Sequence, residues 1–361
     1  MSGERTARAV VPCRACLSGE DLDWLGGRSV SLALDLTTVV ETVPGPAAPA
    51  AAGGWPGQVW GFLRGRIPGL GPNPPVLNVH SDAPAASGLS SSTALIVALF
   101  QAYTDAFAPS PGIPVATLAQ WAYEFEFAHF NGGGMDHLAV IEGDALLLTG
   151  RPTGLPAVLE RRAFPDDWAV VVVDSATRKD TSDHIRVVRA QLAGRDPALA
   201  AYLKEADQAS ADVWEATGAG DLDGLGDAMD RAHNAMRDHQ GMSTPVLEDL
   251  REAALRSAGL RLKLSGAGGG GALVGVCRAA DQEPIATALR QALGELRPGG
   301  PGGGPPAPGG GGGGGGGGAP PRPPPPPPGR RGGGPGRPGG GGPPPPPAAG
   351  AAARSANGEA R

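Results

Sequence analysis

Residues 84–94 read PAASGLSSSTA, a run of small side chains that leads into a helical pattern from about Ser91 to Phe107. Small residues let the backbone approach a ligand closely, and the start of the helix offers unsatisfied N–H groups and the positive end of its dipole. The stretch therefore predicts a phosphate cradle. Ser90 or Ser91 as an ordinary helix N-cap explains the same pattern. The absence of Gly-Lys-Ser/Thr excludes a Walker A loop.

A second glycine-rich stretch, KLSGAGGGGA at residues 263–272, lies between two predicted strands, 260–265 and 272–277. Glycine at this density has a backbone-entropy cost, so a folded protein keeps it where only a bare backbone fits. A triphosphate or a neighbouring loop creates such a place. The alternative is a flexible hairpin loop, but the strands on both sides favour a fixed geometry.

Two further stretches carry charged side chains suited to a hydroxyl-rich substrate. The first, VPCRACLSGEDLDWLGG, has an arginine in a strand and three carboxylates in the loop after it: Arg14, Glu20, Asp21 and Asp23. The second, GGGMDH at residues 132–137, places Asp136 after a glycine turn. Carboxylates accept hydrogen bonds from hydroxyl groups, and an arginine beside an aspartate keeps it ionised. Taken alone, each acid is more often a solvated loop charge.

Predicted strands and helices follow one another irregularly along the chain. Two strand-like runs near the N-terminus precede a short third strand and two helices that end at the triple glycine. Three short apolar strands come next, then four helices, two strands and a last helix that ends near Leu296. This order lacks the regular alternation of a doubly wound sheet and predicts an α+β protein with two lobes. We expect an N-terminal lobe over residues 1–164 and a C-terminal lobe over residues 165–297.

The last 64 residues, 298–361, differ from the rest in composition. They hold 26 of the 60 glycines and 20 of the 39 prolines, and so lack the apolar surface that offsets the entropy cost of ordering a chain. We therefore expect a disordered tail. It carries six arginines and one glutamate, so the net charge of −6 for the whole chain leaves −11 on residues 1–297. That acidic body disfavours nucleic acid as a partner of the folded core.

The expected cellular location rests on the lack of membrane-spanning and secretion signals in the sequence. It has no apolar run of about 18 residues, and residues 1–11 are polar without a signal-peptide core, so we expect a cytoplasmic protein with no membrane contact. The three cysteines fit a reducing compartment. Cys13 and Cys16 are spaced C-x-x-C but have no second pair or nearby histidine, which favours buried strand positions over zinc or redox chemistry.

The glycine- and serine-rich stretches and the charged stretches, in this chain order, resemble the three motifs of the GHMP kinase superfamily. That superfamily includes galactokinase, homoserine kinase, mevalonate kinase and phosphomevalonate kinase, and the resemblance spans about residues 10–295. It implies a two-lobed fold with an ATP-binding N-terminal lobe, a left-handed βαβ unit and a ferredoxin-like C-terminal lobe. It also implies ATP as phosphate donor, Mg²⁺ as cofactor and a small molecule as substrate. It indicates no oligomeric state.

The resemblance implies roles for individual residues. Asp136 corresponds to the catalytic acid residue that faces the acceptor hydroxyl, and Arg14 to the basic residue beside it in galactokinases. Either Ser91 or Ser92 would reach Mg²⁺. ATP and its phosphates would lie against Pro84, Ser87, Gly88, Leu89, Ser90, Ser91, Ser92, Gly266, Ala267, Gly268 and Gly269. The substrate would contact Glu20, Asp21, Asp23, Gly134 and His137, the last at the edge of the site.

Within the superfamily, the first motif resembles galactokinase most. Matching positions are Arg14, Leu17, Gly19, Glu20, Asp23, Gly26 and Gly27. The first motif departs where the family has Gly, His and Tyr, since this chain has Cys13, Asp21 and Trp24. In the stretch around Asp136, His137 stands where the family has Gln. The resemblance therefore implies a neutral or amino sugar, phosphorylated at the anomeric hydroxyl.

Two alternatives stay open. Residues 241–247, GMSTPVL, and 178–181, RKDT, resemble mevalonate kinase, although the carboxylates of the acceptor loop would repel a hydroxy acid. The second alternative is a ligand sensor that has the same fold but catalyses no reaction. The presence of both Arg14 and Asp136 weighs against it. Glu126 and His129, three residues apart on a predicted helix, are expected to form a surface pair rather than a metal site.

Overall fold

The computed structural model describes residues 6–43, 54–83, 87–108, 112–130, 132–177 and 181–296, all within one compact unit, Met1–Pro301. The strands are β1 (Arg8–Ser18), β2 (Arg28–Val43), β3 (Val76–Ser81), β4 (Ala145–Thr149), β5 (Ala157–Arg162), β6 (Trp168–Asp174), β7 (Lys263–Leu264) and β8 (Ala272–Arg278). The helices are α1 (Leu22–Leu25), α2 (Gly54–Arg64), α3 (Ser91–Phe107), α4 (Val115–Phe130), α5 (Met135–Glu142), α6 (Thr181–Gly194), α7 (Pro197–Ala219), α8 (Leu222–Gln240), α9 (Pro245–Ala258) and α10 (Gln282–Leu296).

The larger sheet is antiparallel and forms around the long strand β2. One edge of β2 pairs with β1, and the other edge pairs with β4 near the start of the strand and with β3 near its end. Strand β5 continues the sheet beyond β4. Near the end of β2 the side chains alternate, with Thr38, Val40 and Thr42 buried, as the two-residue period of a strand requires.

Helix α3 forms the centre of the core above this sheet. Its residues Leu99, Phe100 and Tyr103 are at most 1% exposed, because the helix packs against β1, β2, α2, α4 and α5 at once. A helix that is apolar around most of its circumference is stable only in such a buried position. The first turn of α3, which begins at Ser91, is therefore held at a fixed place.

The smaller sheet has the order β6-β8-β7 and is also antiparallel. The valine-rich strand β6 places Val171 and Val173 in a second core, together with Tyr202 of α7, Met236 of α8 and Leu247 of α9. The glycine-rich loop connects β7 to β8 and so leaves from the edge of this sheet. The mixed α+β class predicted from the sequence is confirmed.

Two short elements differ from the sequence-based expectation. Residues Met135–Glu142 form α5 where only a glycine turn was expected, because the carboxylate of Asp23 accepts the N–H of Met135 from a distant part of the chain. The predicted strand 260–265 is paired only at Lys263–Leu264. Strands of the larger sheet precede Phe164 and those of the smaller sheet follow it, but the lobe boundary and the left-handed crossover stay predictions. The predicted tail lies outside the described residues.

The described helices include none that is both long and apolar enough to span a bilayer. Cys13 and Cys16 are buried in β1 as free thiols. This agrees with their predicted place in a strand.

Candidate active site

A cavity of about 380 Å³ lies where the glycine- and serine-rich loops meet the charged stretches. It is bordered by the loop after β1, the start of α3, the segment before α5 and the loop between β7 and β8. Its lining consists of Arg14, Glu20, Asp21, Asp23, Trp24, Trp55, Gly88, Ser90, Ser91, Ser92, Thr93, Glu126, Phe127, Gly132, Gly133, Met135, Asp136, His137, Ile185, Gly266 and Ala267. Most of the predicted site residues are therefore brought together.

The centre of the cavity holds an ion pair between Arg14 and Asp136. The Nε and Nη2 atoms of Arg14 donate to Oδ1 of Asp136 at 2.8 and 2.6 Å, and the Ser90 hydroxyl donates to Oδ2 at 2.6 Å. Burial alone would raise the pKa of Asp136, but the Arg14 charge and the Ser90 hydrogen bond together hold this pKa below its usual value. Asp136 is therefore a carboxylate at neutral pH.

The small-residue loop before α3 is hydrogen-bonded to β1. The backbone N–H of Arg14 donates to the carbonyl of Leu89 at 3.0 Å, and Nη1 of Arg14 donates to the carbonyl of Gly88 at 2.6 Å. Gly88 and Ser90 have φ angles of 84° and 57°, which turn the chain sharply into the helix. Leu89 is fully buried and is not among the residues that line the cavity, so its contact with phosphate stays a prediction. Pro84 lies outside the described residues.

The glycine loop after β7 forms hydrogen bonds and close contacts with its neighbours. Gly271 donates to the carbonyl of Thr177 at 2.9 Å, and Gly269 donates to that of Met242 at 2.7 Å. A Cβ atom at Gly271 would lie 2.6 Å from the carbonyl oxygen of Ser87, so the two small-residue loops touch only because this position has no side chain. Gly266 and Ala267 line the cavity, whereas Gly268 packs against Met242.

Lys263 links this glycine loop to the acceptor loop and was missed in the sequence. Its side chain is fully buried and forms an ion pair with Glu20, and it also donates to the carbonyls of Cys16 and Leu264. Glu20 Oε1 in addition accepts the N–H of Gly266 at 3.2 Å. A lysine directly before the glycine run was the available signal, but its partner lies more than 240 residues away.

Asp21 lines the cavity, but protein groups occupy both of its carboxylate oxygens. Oδ1 accepts the indole N–H of Trp24 at 3.1 Å, and Oδ2 lies 2.6 Å from Nε2 of His184 on α6. The carboxylate therefore positions two neighbouring side chains. Each of its oxygens can accept a second hydrogen bond, so the contact of Asp21 with substrate stays a prediction.

Asp23 is also buried, and its surroundings explain the triple glycine. Its Oδ2 accepts the N–H of Met135 at 2.9 Å, and a Cβ atom at Gly133 would lie 1.9 Å from the same oxygen. Burial raises the pKa of Asp23 to about 7, and the nearby Asp136 and Asp21 add to this effect. Gly134 is the N-cap residue before α5 and packs against Leu155, Pro156 and Tyr123. It is not among the residues that line the cavity, so its contact with substrate stays a prediction.

Glu126 was expected on the surface, and this expectation was wrong. The residue is 9% exposed and lines the cavity. The hydroxyl of Thr93 lies within 3.0 Å of both carboxylate oxygens. His137 is only 2% exposed and so lies inside, not at the edge of the site. Its Nε2 is 2.8 Å from Glu126 Oε2, but the two atoms are not aligned as a hydrogen bond.

Comparison with protein families identifies these segments. The family described as "GHMP kinases N terminal domain" matches residues 59–144, and "GHMP kinases C terminal" matches residues 213–295. The two matches occur in the order expected for a complete pair. The chain has the two-domain GHMP kinase fold.

Individual GHMP kinases are similar along most of the chain. Galactokinase of Mycobacterium tuberculosis is 28% identical over 335 residues, which cover 78% of this chain and 92% of that relative. Two solved structures share the fold. The mevalonate kinase of L. major in complex with R-mevalonate has a TM-score of 0.66 at 21% identity and covers 82% of this chain and 94% of its own. The galactokinase of Lactococcus lactis complexed with galactose has a TM-score of 0.65 at 18% identity, with 81% and 91% covered.

The donor set of the cavity fits a nucleotide phosphate and Mg²⁺. The Ser87 hydroxyl is buried with no hydrogen-bond partner among the described residues, and it lies where the two small-residue loops touch. Ser91, Ser92 and Glu126 line one cavity with hydroxyl and carboxylate oxygens, which Mg²⁺ prefers. The described residues include no cluster of three or more His, Cys, Asp or Glu able to hold a metal, so Mg²⁺ would take further ligands from phosphate and water.

Proposed function

We propose that this protein is a kinase that transfers the γ-phosphoryl group of ATP to a hydroxyl group of a small molecule, namely the anomeric hydroxyl of a sugar. The observation that carries the proposal is the arrangement of Arg14, Asp136 and Ser90. It places an ionised carboxylate in a cavity between a small-residue loop and a glycine loop. Phosphoryl transfer requires mainly this kind of positioning and charge neutralisation.

Asp136 is proposed to receive the acceptor hydroxyl. Since its pKa lies below the usual value, the carboxylate is ready to accept a hydrogen bond and orient the attacking oxygen. The oxygen attacks the γ-phosphorus, the bond to the β-phosphate oxygen breaks, and ADP leaves. The hydroxyl proton passes to Asp136 as the new bond forms. Arg14 stays beside Asp136 and offsets negative charge that develops in the transition state.

The donor side is proposed to bind the phosphates through backbone groups. The start of α3 presents N–H groups and the hydroxyls of Ser91 and Ser92 to the cavity. Gly266 and Ala267 border the same space from the opposite side. When bound, Mg²⁺ would neutralise phosphate charge at this place, and Ser91, Ser92 and Glu126 are the residues suited to hold it.

A sugar is the favoured acceptor class. The galactokinase of Mycobacterium tuberculosis is similar along nearly its full length, and carboxylates dominate the acceptor side of the cavity. A hydroxy acid such as mevalonate would bring its own negative charge next to these groups, which is unfavourable. The similarity to a mevalonate kinase structure, at 21% identity, supports the shared fold and leaves the hydroxy acid as the second candidate.

A coupled ADP-release assay tests the proposal. Purified protein with ATP and Mg²⁺ is offered hexoses, amino sugars, uronic acids and mevalonate. We expect ADP release with a sugar and none with mevalonate. Arg14→Ala should lower turnover more than it raises the Michaelis constant, as expected for a group that acts in the transition state. Efficient use of mevalonate with inert hexoses would favour the second candidate, and binding without ADP release would indicate a sensor.

A further inference from the structure

The short strand β7 has a strand partner on one edge only within the described part of the chain. It pairs with β8 at the end of the smaller sheet, and the glycine loop begins directly after it at Ser265. Leu262 and Leu264, which are 2% and 0% exposed, turn backbone groups toward the other edge. Buried backbone groups need hydrogen-bond partners. Whatever supplies these partners fixes the place where the glycine loop starts.

Side chains of α8 and α9 take the place of a neighbouring strand at this edge. Nδ1 of His233 on α8 accepts the N–H of Leu264 at 3.1 Å. Nε of Arg251 on α9 donates to the carbonyl of Leu262 at 2.9 Å, and Nζ of Lys263 donates to the carbonyl of Leu264 at 2.6 Å. Three side chains therefore hold the entry to the glycine loop, and His233 is the acceptor among them.

His233 can do this in only one tautomer. The residue is fully buried, and burial together with the charge of Arg251 lowers its pKa to about 4, although Glu248 acts in the opposite direction. The ring is therefore neutral at neutral pH. Because the N–H of Leu264 can only donate, Nδ1 carries no proton. Nε2 carries it instead and donates to Oε1 of Glu248 at 2.7 Å, so Glu248 selects the tautomer that β7 requires.

Glu248 is itself held in place and connects the imidazole to a second point on the same loop. Nη1 of Arg251 donates to its Oε2 at 2.8 Å, and the hydroxyl of Ser243 donates to its Oε1. Met242, directly before Ser243, accepts the N–H of Gly269 at 2.7 Å. The network thus contacts the glycine loop at its entry and at Gly269. None of its side chains is among those that line the cavity.

We propose that His233 is a positioning residue of the donor side, which holds the glycine loop where Gly266 and Ala267 border the phosphate space. This proposal rests on the proposed kinase function, because that function assigns the phosphates to this space. His233 does not line the cavity and acts through the N–H of Leu264, two residues before Gly266. Its imidazole neither gains nor loses a proton in the transfer.

Two substitutions separate the roles of the two ring nitrogens. Asn places an oxygen where the ring has Nδ1, so His233→Asn keeps an acceptor for Leu264 and loses the contact with Glu248. Gln places its amide where the ring has Nε2, so His233→Gln keeps a donor to Glu248 and leaves the N–H of Leu264 without its acceptor. A merely structural role predicts similar effects, since each variant loses one hydrogen bond. A positioning role predicts that His233→Gln alone disturbs the loop.

Nucleotide binding is the first readout. Calorimetry measures the affinity of the full chain for a non-hydrolysable ATP analogue with Mg²⁺. His233→Gln should weaken binding about tenfold, as expected when a buried N–H loses its acceptor, and His233→Asn should change it by less than about twofold. In the ADP-release assay, the Michaelis constant for ATP should rise with His233→Gln while that for the acceptor changes little. His239→Gln is the matched control on the same helix, because His239 pairs with Glu205.

Hydrogen exchange measures the loop without any nucleotide. The amides of residues 264–271 should exchange about fivefold faster or more in His233→Gln, and at an unchanged rate in His233→Asn and His239→Gln. The ring itself is observed in the unaltered protein by ¹⁵N NMR, which should show Nδ1 of His233 without a proton and Nε2 with one at neutral pH. This signal decides if a variant does not fold.

The outcomes separate this proposal from the kinase function. Equal effects of His233→Asn and His233→Gln, an unchanged exchange rate in His233→Gln, or a protonated Nδ1 would each overturn the positioning role. Faster exchange in His233→Gln with unchanged affinity for the ATP analogue would also overturn it. Faster exchange in that variant alone, in a protein that binds no ATP analogue, would support the hold of His233 on the loop and contradict the kinase function.

Discussion

The two sides of the cavity are built in different ways. The donor side consists largely of backbone, held by short hydrogen bonds between the loop before α3, the glycine loop and β1. The acceptor side consists of side chains from distant elements, among them Asp23 after β1 and His184 on α6. Backbone sites bind a feature that every nucleotide has, whereas side-chain sites are altered one residue at a time. The difference explains why nucleotide use is easier to infer than the acceptor.

Replacement of Asp136, the carboxylate between the two sides, should produce the largest effect, which is on turnover. Asp136→Asn keeps the size of the side chain but removes the ionised acceptor that orients the hydroxyl. We expect turnover to fall by about 10²–10⁴-fold, while nucleotide affinity, measured by calorimetry, stays within a factor of about two. Asp167→Asn serves as the control, because that side chain is 68% exposed and lies outside the cavity. Near-normal turnover in Asp136→Asn would remove this residue from the chemistry.

Lys263 tests whether the two sides depend on each other. Lys263→Met leaves Glu20 buried without its partner and should lower the free energy of unfolding by about 3–5 kcal/mol, as measured by urea denaturation. The double variant Lys263→Met/Glu20→Gln should recover part of this loss. Arg256→Ala, which breaks the exposed pair with Glu252, should cost less than about 1 kcal/mol. If Lys263→Met and Arg256→Ala lowered the free energy of unfolding equally, the Lys263–Glu20 ion pair would not stabilise the contact between the glycine loop and the acceptor loop.

Gly271 tests the close approach of the two donor-side loops. A Cβ atom there would lie 2.6 Å from the Ser87 carbonyl, and the φ angle is +85°. We expect Gly271→Ala to lower the free energy of unfolding by about 2–4 kcal/mol and to weaken nucleotide binding. Gly61→Ala is the control, since it has open space on α2 and should be stabilising or neutral. A Gly271→Ala variant as stable as Gly61→Ala would show that the loops do not touch.

Replacement of Asp23 should raise the free energy of unfolding, whereas the substitutions of Lys263 and Gly271 should lower it. Its pKa rises from 3.8 to about 7 in the folded protein. Between these values the folded state binds more protons than the unfolded state, so this residue lowers stability as pH rises from about 4 to about 7. Asp23→Asn should therefore raise the free energy of unfolding by about 1–3 kcal/mol at about pH 8. At about pH 4 the gain should vanish.

Parallel denaturation of Asp23→Asn and the unaltered protein across this pH range provides the measurement. Asp21, Asp136 and Arg14 also act on Asp23 electrostatically, so Asp167→Asn again serves as the reference for general charge effects. A constant difference between Asp23→Asn and the unaltered protein at all pH values would mean that Asp23 keeps an ordinary pKa.

The smallest effect is expected for the tail. Its 26 glycines and 20 prolines predict that truncation after Arg297 changes turnover by less than about twofold and the free energy of unfolding by less than about 0.5 kcal/mol. An ADP-release assay and a melting curve on the truncated chain measure both. Loss of activity or a large fall in melting temperature would show that the tail packs on the folded body.

The sequence predicted the donor side of the cavity better than the acceptor side. The donor loops were visible because glycine and serine runs next to a helix or strand have a local physical meaning. Arg14 and Asp136 were predicted because an arginine in a strand and an aspartate after a glycine turn suggest a site, and the resemblance to GHMP kinases implied their roles. Lys263, Glu126 and His184 were missed or misplaced, since their partners lie far away in the chain and local spacing says nothing about them. The α5 helix was missed for the same reason, because its N-terminal N–H is bound by Asp23.

Direct transfer of labelled phosphate tests the central claim. The protein is incubated with Mg²⁺, ATP carrying ³²P in the γ-position, and the sugar panel, and the products are separated and located by ³²P detection. The account predicts label on a sugar in amounts equal to the ADP formed, and almost none with Asp136→Asn under the same conditions. Label that stays on ATP for every sugar, although sugar and nucleotide both bind, would contradict it.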